Sequence, residues 1–334
     1  MSENSTGLHV APIIFANGLC KDYRVLAHKP GTLGAFFNLF SGRGRTVRAV
    51  DHVGFSIYAG ESVGFVGPNG AGKSTTIKML TGILVPTTGE ARVGNYVPWK
   101  ARKENSRQIG VVFGQRTQLW WDLPPIEAYE LLGKLYRVEG GRLRDNIESY
   151  TRMLDVVEQS RIPVRKLSLG QRMRCDIVAA LLHDPPTLIL DEPTIGLDVV
   201  AKQTLREFLK RMNRERRTTI LLTTHDLDDI EEICARVIVI DHGKIIHDGS
   251  LASLKTKFGD LRTVVADIPG VAAVVPPQGS VLRKVEGHRY WIDFDADITK
   301  APAVISDILA RYNVTDLAVH PMDIEEVVRR IYGR

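Results

Sequence analysis

The 334-residue sequence predicts an α/β protein followed by a small α+β domain, and three observations carry that expectation. A glycine-rich run, Gly67-Pro68-Asn69-Gly70-Ala71-Gly72-Lys73-Ser74-Thr75, sits between a strand pattern at Ser62-Val63-Gly64-Phe65-Val66 and a helical pattern at Thr76-Ile77-Lys78-Met79-Leu80. Two more apolar strands end in reactive side chains: residues 187–190 run into Asp191-Glu192, and residues 218–223 into Thr224-His225-Asp226. Beyond about Ser250 these motifs stop, and shorter strand and helix patterns take over.

The glycine run fits the P-loop pattern, in which backbone N–H groups and a helix N-terminus cradle phosphates. Glycines at 67, 70 and 72 permit the dihedrals that turn those groups inward. Lys73 supplies a charge to the β- and γ-phosphates, and the Ser74 hydroxyl suits Mg²⁺, a hard ion that prefers oxygen ligands.

Composition narrows the classes. Hydrophobic residues at 44% and charged residues at 25% are ordinary for a globular chain with an ample core. No apolar run approaches the roughly twenty residues needed to span a bilayer. Met1 to Gly7 lacks a basic and an apolar signal region, so secretion is not expected. Cys20, Cys175 and Cys234 are scattered and form no Cys-x-x-Cys pair, so they read as core thiols. A net charge of +5 is compatible with a membrane surface or nucleic acid and diagnostic of neither.

In chain order, residues 1–12 read as a flexible start, and Ile13 to Gly18 as a first strand leading to Leu19-Cys20-Lys21-Asp22-Tyr23. Tyr23 is placed either to stack on a nucleotide base or to sit half-buried in a sheet. Residues 24–46 interrupt the pattern; Leu33, Phe36, Phe37 and Phe40 form one helical face, suited to a membrane interface, a partner helix, or a hairpin folding back on the domain. Val47 to Ile57 resumes as strand, and Pro86-Thr87-Thr88-Gly89-Glu90 reads as a turn. Ile109 to Phe113 is an apolar run ending in Gly114-Gln115, after which residues 116–169 turn helical. Trp120 and Trp121 open that region, as a partner groove or as core.

Ser168 and Gly170, in Leu167-Ser168-Leu169-Gly170-Gln171, stand where a helix begins, which makes either a plain N-cap or a second anion site. At the end of strand 187–190, alternation sends Asp191 and Glu192 in different directions, one toward Mg²⁺ and one toward an attacking water. Asp198 reads as the N-cap of a helix whose face is Leu205, Phe208, Leu209 and Met212. His225 at a strand's C-terminal end is placed to bond a γ-phosphate, while His242 and His247 form no ligand cluster.

Together these residues resemble the nucleotide-binding subunit of an ABC transporter, over about residues 13–250. The resemblance implies a P-loop NTPase fold, with a RecA-like core, a helical subdomain and an antiparallel β subdomain. It implies that Gly67 to Thr75 is the Walker A loop, with Gly67, Asn69, Gly70, Gly72, Lys73, Ser74 and Thr75 on the nucleotide and Tyr23 stacking on adenine. Glu192, His225 and Gln115 would be catalytic, and Ser74, Gln115 and Asp191 would hold Mg²⁺. Ser168, Gly170, Gln171 and Asp198 would close the ATP of a second copy or a paralogue. Leu169 stands where the family's signature most often has Gly. The run from Phe113 to Pro124 and the segment after Tyr23 are most similar to bacterial exporter ATPases, of the drug- and viologen-efflux kind, with separate permeases. The chain is therefore expected on the cytoplasmic face of the plasma (inner) membrane, with ATP and Mg²⁺ as cofactors and permease subunits as partners. No nucleic-acid partner is expected, and a soluble ABC ATPase acting on ribosome or nucleic acid, or an importer subunit, stands as the alternative.

Residues 251–334 read as a small α+β domain. Arg262 to Ile268, Arg289 to Phe294 and Val314 to Val319 alternate as strands; Ile305, Ile308, Leu309 and Tyr312 form one helix face, and Ile324, Val327, Val328 and Ile331 a last one.

Overall fold

The computed structural model describes residues 11–26, 44–114, 116–224, 226–258, 261–271 and 273–321. Two compact units divide the chain: residues up to 224 with 228–248 form the first, and residues from 249 onward the bulk of the second.

The first unit opens with a hairpin of β1 (Ile14–Leu26) and β2 (Gly44–Ile57). Both strands reach into the stretch that the sequence sets apart as an insertion, pairing Arg24 with Thr46 and Leu26 with Gly44. The helical face at Leu33 to Phe40 lies outside the described residues. β3 (Ser62–Val66) is buried throughout and delivers the glycine run to α1 (Lys73–Leu80). β4 (Thr88–Val93) returns along β1, so a segment that reads locally as a turn becomes a strand through a distant partner. α2 (Arg102–Gln108) precedes β5 (Ile109–Phe113).

α3 (Pro125–Tyr136) starts with proline, whose missing N–H costs nothing in a first turn. α4 (Gly140–Met153) follows, capped by the Glu139 carboxylate on the N–H groups of Gly141 and Arg142. α5 (Leu169–Leu181) begins directly after Ser168, which closes a capping box with Gln171. β6 (Thr187–Asp191), α6 (Val199–Arg216), β7 (Thr219–Thr223), α7 (Leu227–Ile233), β8 (Arg236–Asp241) and β9 (Lys244–Gly249) complete the unit. Between β8 and β9, His242 and Gly243 both have positive φ (45° and 79°), the geometry a two-residue hairpin turn demands.

Two sheets result. One is antiparallel in the order β2-β1-β4; the other runs β5-β6-β7-β3-β8-β9, with β5, β6, β7, β3 and β8 parallel. The parallel strands are nearly continuous apolar runs, as expected of strands covered on both faces. A shared core of Ile14, Phe55, Phe65, Ile77, Leu80 and Ile189 locks the antiparallel sheet and α1 onto the parallel one. At five parallel strands, C-terminal ends therefore share one edge, which is where the reactive residues emerge.

In the second unit α8 (Leu251–Phe258) leads to β10 (Leu261–Asp267), β11 (Ser280–Glu286), β12 (Arg289–Asp295), α9 (Ala301–Arg311) and β13 (Asp316–Pro321). The strands form an antiparallel sheet in the order β11-β12-β10-β13. Val264, Tyr290, Ile292 and Phe294 pack on Val304 and Ile308 of α9. The expected last helix at 324–331 lies outside the described residues.

Candidate functional site

The glycine run is a tight loop wedged against β8 and β2. A Cβ at Gly67 would collide with the Ile240 carbonyl oxygen, and one at Gly72 would lie 2.6 Å from the Ala49 oxygen at a φ of 108°. Neither site admits a side chain. Lys73 is almost wholly buried; its ammonium donates to the carbonyl oxygens of Gly67 and Pro68 and so arches back over the loop.

Across from the loop stand the ends of β6 and β7. The Ser74 hydroxyl donates to Asp191 Oδ1 at 3.4 Å, and Thr223 Oγ1 donates to the same oxygen at 2.7 Å. Glu192 does not continue the strand. It takes a left-handed φ of 55°, with its N–H bonded to both Thr223 Oγ1 (2.9 Å) and the Thr223 carbonyl (3.0 Å). The backbone turns between the two acids, so strand alternation is not what sets their directions, which corrects the sequence-based reason. Asn69, Ser74, Gly114, Arg116, Asp191 and Glu192, with Lys78, Ile83 and Phe113, line one cavity of about 440 Å³.

Other expected residues lie elsewhere. Tyr23 is on β1, half-exposed, with the Lys21 ammonium 5.5 Å from its ring centroid, and it is not among the residues lining the cavity. Ser168 caps α5, accepting from Gln171 N at 3.2 Å while Gln171 Oε1 accepts from Ser168 N at 3.0 Å. Asp198 caps α6 through the Ala201 N–H at 2.8 Å. These two caps are neighbours, because Leu169 packs on Gly196 and Leu197 packs on Gly170. Gln115 and His225 lie outside the described residues.

Sequence reasoning missed several supports. Asp229, fully buried, accepts from Thr194 Oγ1 (2.6 Å) and Thr224 Oγ1 (3.1 Å) and pairs with Arg206, tying the turn after Glu192 to the residue before His225. Asp176 on α5 holds the segment after Gln115, accepting from Thr117 Oγ1 (2.9 Å) and Gln118 N (3.0 Å). Trp120 and Trp121 are exposed, not core, at 44% and 52%. On the antiparallel sheet, Cys20, Asp51 and His52 bring a thiol, a carboxylate and a ring within 4.8 Å of one another. Arg48 and Lys244 already neutralise Asp51 there, and its carboxyl is held down at about 2, first by the His52 ring and then by those cations.

A glycine loop feeding a helix, with a hydroxyl and two carboxylates gathered at the ends of adjacent parallel strands, defines a P-loop nucleotide hydrolase. The chain belongs, more narrowly, to the family of ABC transporter ATP-binding proteins, whose model (ABC transporter) matches residues 50–195. It is 34% identical to the ABC transporter ATP-binding protein NatA of Bacillus subtilis over 64% of this chain and 87% of that one. It is 30% identical to the linearmycin resistance ATP-binding protein LnrL of the same organism, over 85% and 94%. Among solved structures, the ADP- and phosphate-bound dimer of the ATP-binding cassette MJ0796 superposes with a TM-score of 0.59 at 26% identity, covering 71% of this chain and 98% of that one. The chain is thus the ATP-binding and ATP-hydrolysing subunit of an ABC transporter; such subunits act as dimers and with membrane permeases.

Proposed function

We propose that ATP closes two copies of this chain, or this chain and a paralogue, around two nucleotides, and that hydrolysis reopens them to drive export through separate permease subunits. The observation that carries this reading is the meeting of Ser74, Asp191 and Glu192 on one cavity beside the glycine loop.

In this reading the N–H groups from Gly67 to Thr75, with Asn69 and Lys73, hold the phosphates, and Tyr23 stacks on adenine. A hydroxyl and a carboxylate within 3.4 Å are hard oxygen donors that suit Mg²⁺, and Ser74 and Asp191, with Gln115, would hold it. Bound there, the ion would spread the charge that develops on the phosphates. Glu192 orients the attacking water and takes its proton as oxygen adds to the γ-phosphorus and the bond to the bridging oxygen breaks. His225, following Thr224, is assigned the γ-phosphate. Ser168, Gly170, Gln171 and Asp198 are assigned to the nucleotide of the other copy, a reading supported by the close approach of Leu197 to Gly170 and of Leu169 to Gly196, which brings the two segments together.

Export is favoured by the resistance role printed in LnrL's name. Docking of the permease is assigned to the exposed Trp120 and Trp121. Among the described residues no helix is long and apolar enough to cross a membrane. The chain is assigned to the cytoplasmic face of the membrane, held there by its permease. The test is affinity purification of tagged Glu192→Gln protein from its native membranes with ATP and Mg²⁺. A stoichiometric multi-spanning membrane protein is expected; ribosomal proteins or nucleic acid in its place would contradict the reading.

A further inference from the structure

We propose that Thr223 is a positioning residue for hydrolysis, setting both acids at once through its side-chain hydroxyl. The inference rests on the roles assigned above to Asp191 and Glu192.

Thr223 is the last residue of β7, fully buried, and pairs in register with Asp191 on β6. Its hydroxyl has one proton to give. The Glu192 N–H, 2.9 Å away, can only donate, so that proton goes to Asp191 Oδ1 at 2.7 Å. The result is a one-way chain from the Glu192 amide through Thr223 Oγ1 to the Asp191 carboxylate. Among the described residues this hydroxyl bonds the two reactive positions and no other group. Ser74 reaches the same Asp191 oxygen at 3.4 Å, so the hydroxyl also decides which lone pairs of that oxygen remain for the loop side.

Valine at 223 keeps the branched shape and deletes both bonds. The Glu192 amide would retain the Thr223 carbonyl oxygen at 3.0 Å, so the chain can still turn there. What is lost is the link between the Glu192 backbone and the Asp191 carboxylate, which predicts a loss in turnover rather than in nucleotide binding.

The experiment compares wild type, Thr223→Val, Thr223→Ala, Thr223→Ser and Glu192→Gln in the full chain. Steady-state ATPase is measured across a Mg²⁺ titration, mant-ATP affinity with Mg²⁺ and in EDTA, and melting temperature as a check on folding. Thr223→Val should lower kcat about tenfold, with KM for ATP changed by less than about twofold. It should raise the Mg²⁺ needed for half-maximal rate several-fold and shrink the gain in mant-ATP affinity on adding Mg²⁺, leaving affinity in EDTA unchanged. Thr223→Ser should restore all of these to about twofold of wild type, because it keeps the hydroxyl. If the valine variant does not fold, Thr223→Ala reads the same loss. Wild-type kcat and Mg²⁺ response in the folded hydroxyl-less variants would overturn the proposal, as would a Thr223→Ser variant as impaired as Thr223→Val. Glu192→Gln separates the two claims: if it still turns over ATP, the assignment of the acids fails. If it is inert while Thr223→Val is unimpaired, only the role of Thr223 fails.

Discussion

Ser74 and Asp191, 117 positions apart in the chain, meet at 3.4 Å between the hydroxyl and Oδ1. One residue lies in the first turn of the helix after the glycine loop; the other closes β6, so the contact joins the phosphate cradle to the acid-bearing edge. If the pair shares Mg²⁺, Ser74→Ala should weaken the ion's hold on bound ATP and lower ATPase activity about ten- to hundredfold at limiting Mg²⁺, with partial recovery at high Mg²⁺. A Mg²⁺ titration of steady-state rate checks it; an unchanged half-activation concentration would contradict it.

Gly114 has an ordinary φ, and its constraint is space. A Cβ there would lie 2.5 Å from the Glu192 carbonyl oxygen and 2.8 Å from that of Asp191, while its own N–H bonds the latter at 2.7 Å. Backbone atoms cannot rotate aside as a side chain can. Gly114→Ala should therefore destabilise the protein by about 1 to 3 kcal/mol and lower turnover disproportionately, because the displaced segment carries both acids. Denaturant melts and ATPase assays on one preparation measure both effects; a stable, fully active variant would contradict the prediction.

Asp176 gives a pH signature. Burial lifts its carboxyl to about 6, outweighing the hydrogen bonds from Thr117 and Gln118 that favour the anion. A carboxyl raised on folding stabilises the native state at low pH, below its ordinary value of 3.8, and that contribution is lost as pH rises through about 6. Asp176→Asn keeps an acceptor for the Gln118 N–H without the buried charge. The variant should thus be more stable than wild type at pH 7, by about 1 to 3 kcal/mol, with the difference narrowing at pH 5 and closing only below the ordinary 3.8. Burial pushes His183 the other way, down to about 4. Its contribution is present above its ordinary 6.5 and lost as pH falls through about 4, but it is common to both proteins and cancels in the difference. Urea midpoints at the two pH values decide it; a loss of stability in Asp176→Asn at pH 7 would contradict the account.

Trp120 and Trp121 are exposed yet held on a fixed frame: the Leu123 N–H bonds the Trp120 carbonyl, the Arg165 N–H bonds that of Trp121, and the Arg172 guanidinium lies 5.4 Å from the Trp121 ring. Large apolar rings held in water by a rigid frame suit a partner surface. Replacing both by Ala should leave the melting temperature and the ATPase of the isolated chain close to wild type, since surface changes of this kind cost within about 0.5 kcal/mol. Membrane retention and transport should fall sharply, as read by fractionation of cells carrying the variant. Undiminished retention would remove these residues from the docking surface.

Much of the site was legible because its chemistry is local. Gly67 to Thr75 encodes a loop, a charge and a hydroxyl in consecutive residues, and the Ser168 cap needs only Gln171 three positions on. Thr223 was not legible: alone it is an apolar strand's last residue, and its link to Asp191 and Glu192 exists only once β6 and β7 pair in register. β4 was hidden for the same reason, being a turn by composition and a strand by its pairing with β1. β11 carried little signal because Val281 and Val285 remain exposed, leaving no buried face to impose alternation. The left-handed turn at Glu192 was the least accessible, since nothing about a glutamate announces a positive φ.

The most direct test of the central claim is a comparison of purified Glu192→Gln with wild type, following phosphate release and, by light scattering, mass with Mg²⁺ and ATP or ADP. The account predicts turnover at least a hundredfold lower, ATP affinity retained, and a stable dimer with ATP that ADP does not support. Turnover near the wild-type rate, or a mass indifferent to which nucleotide is bound, would contradict it.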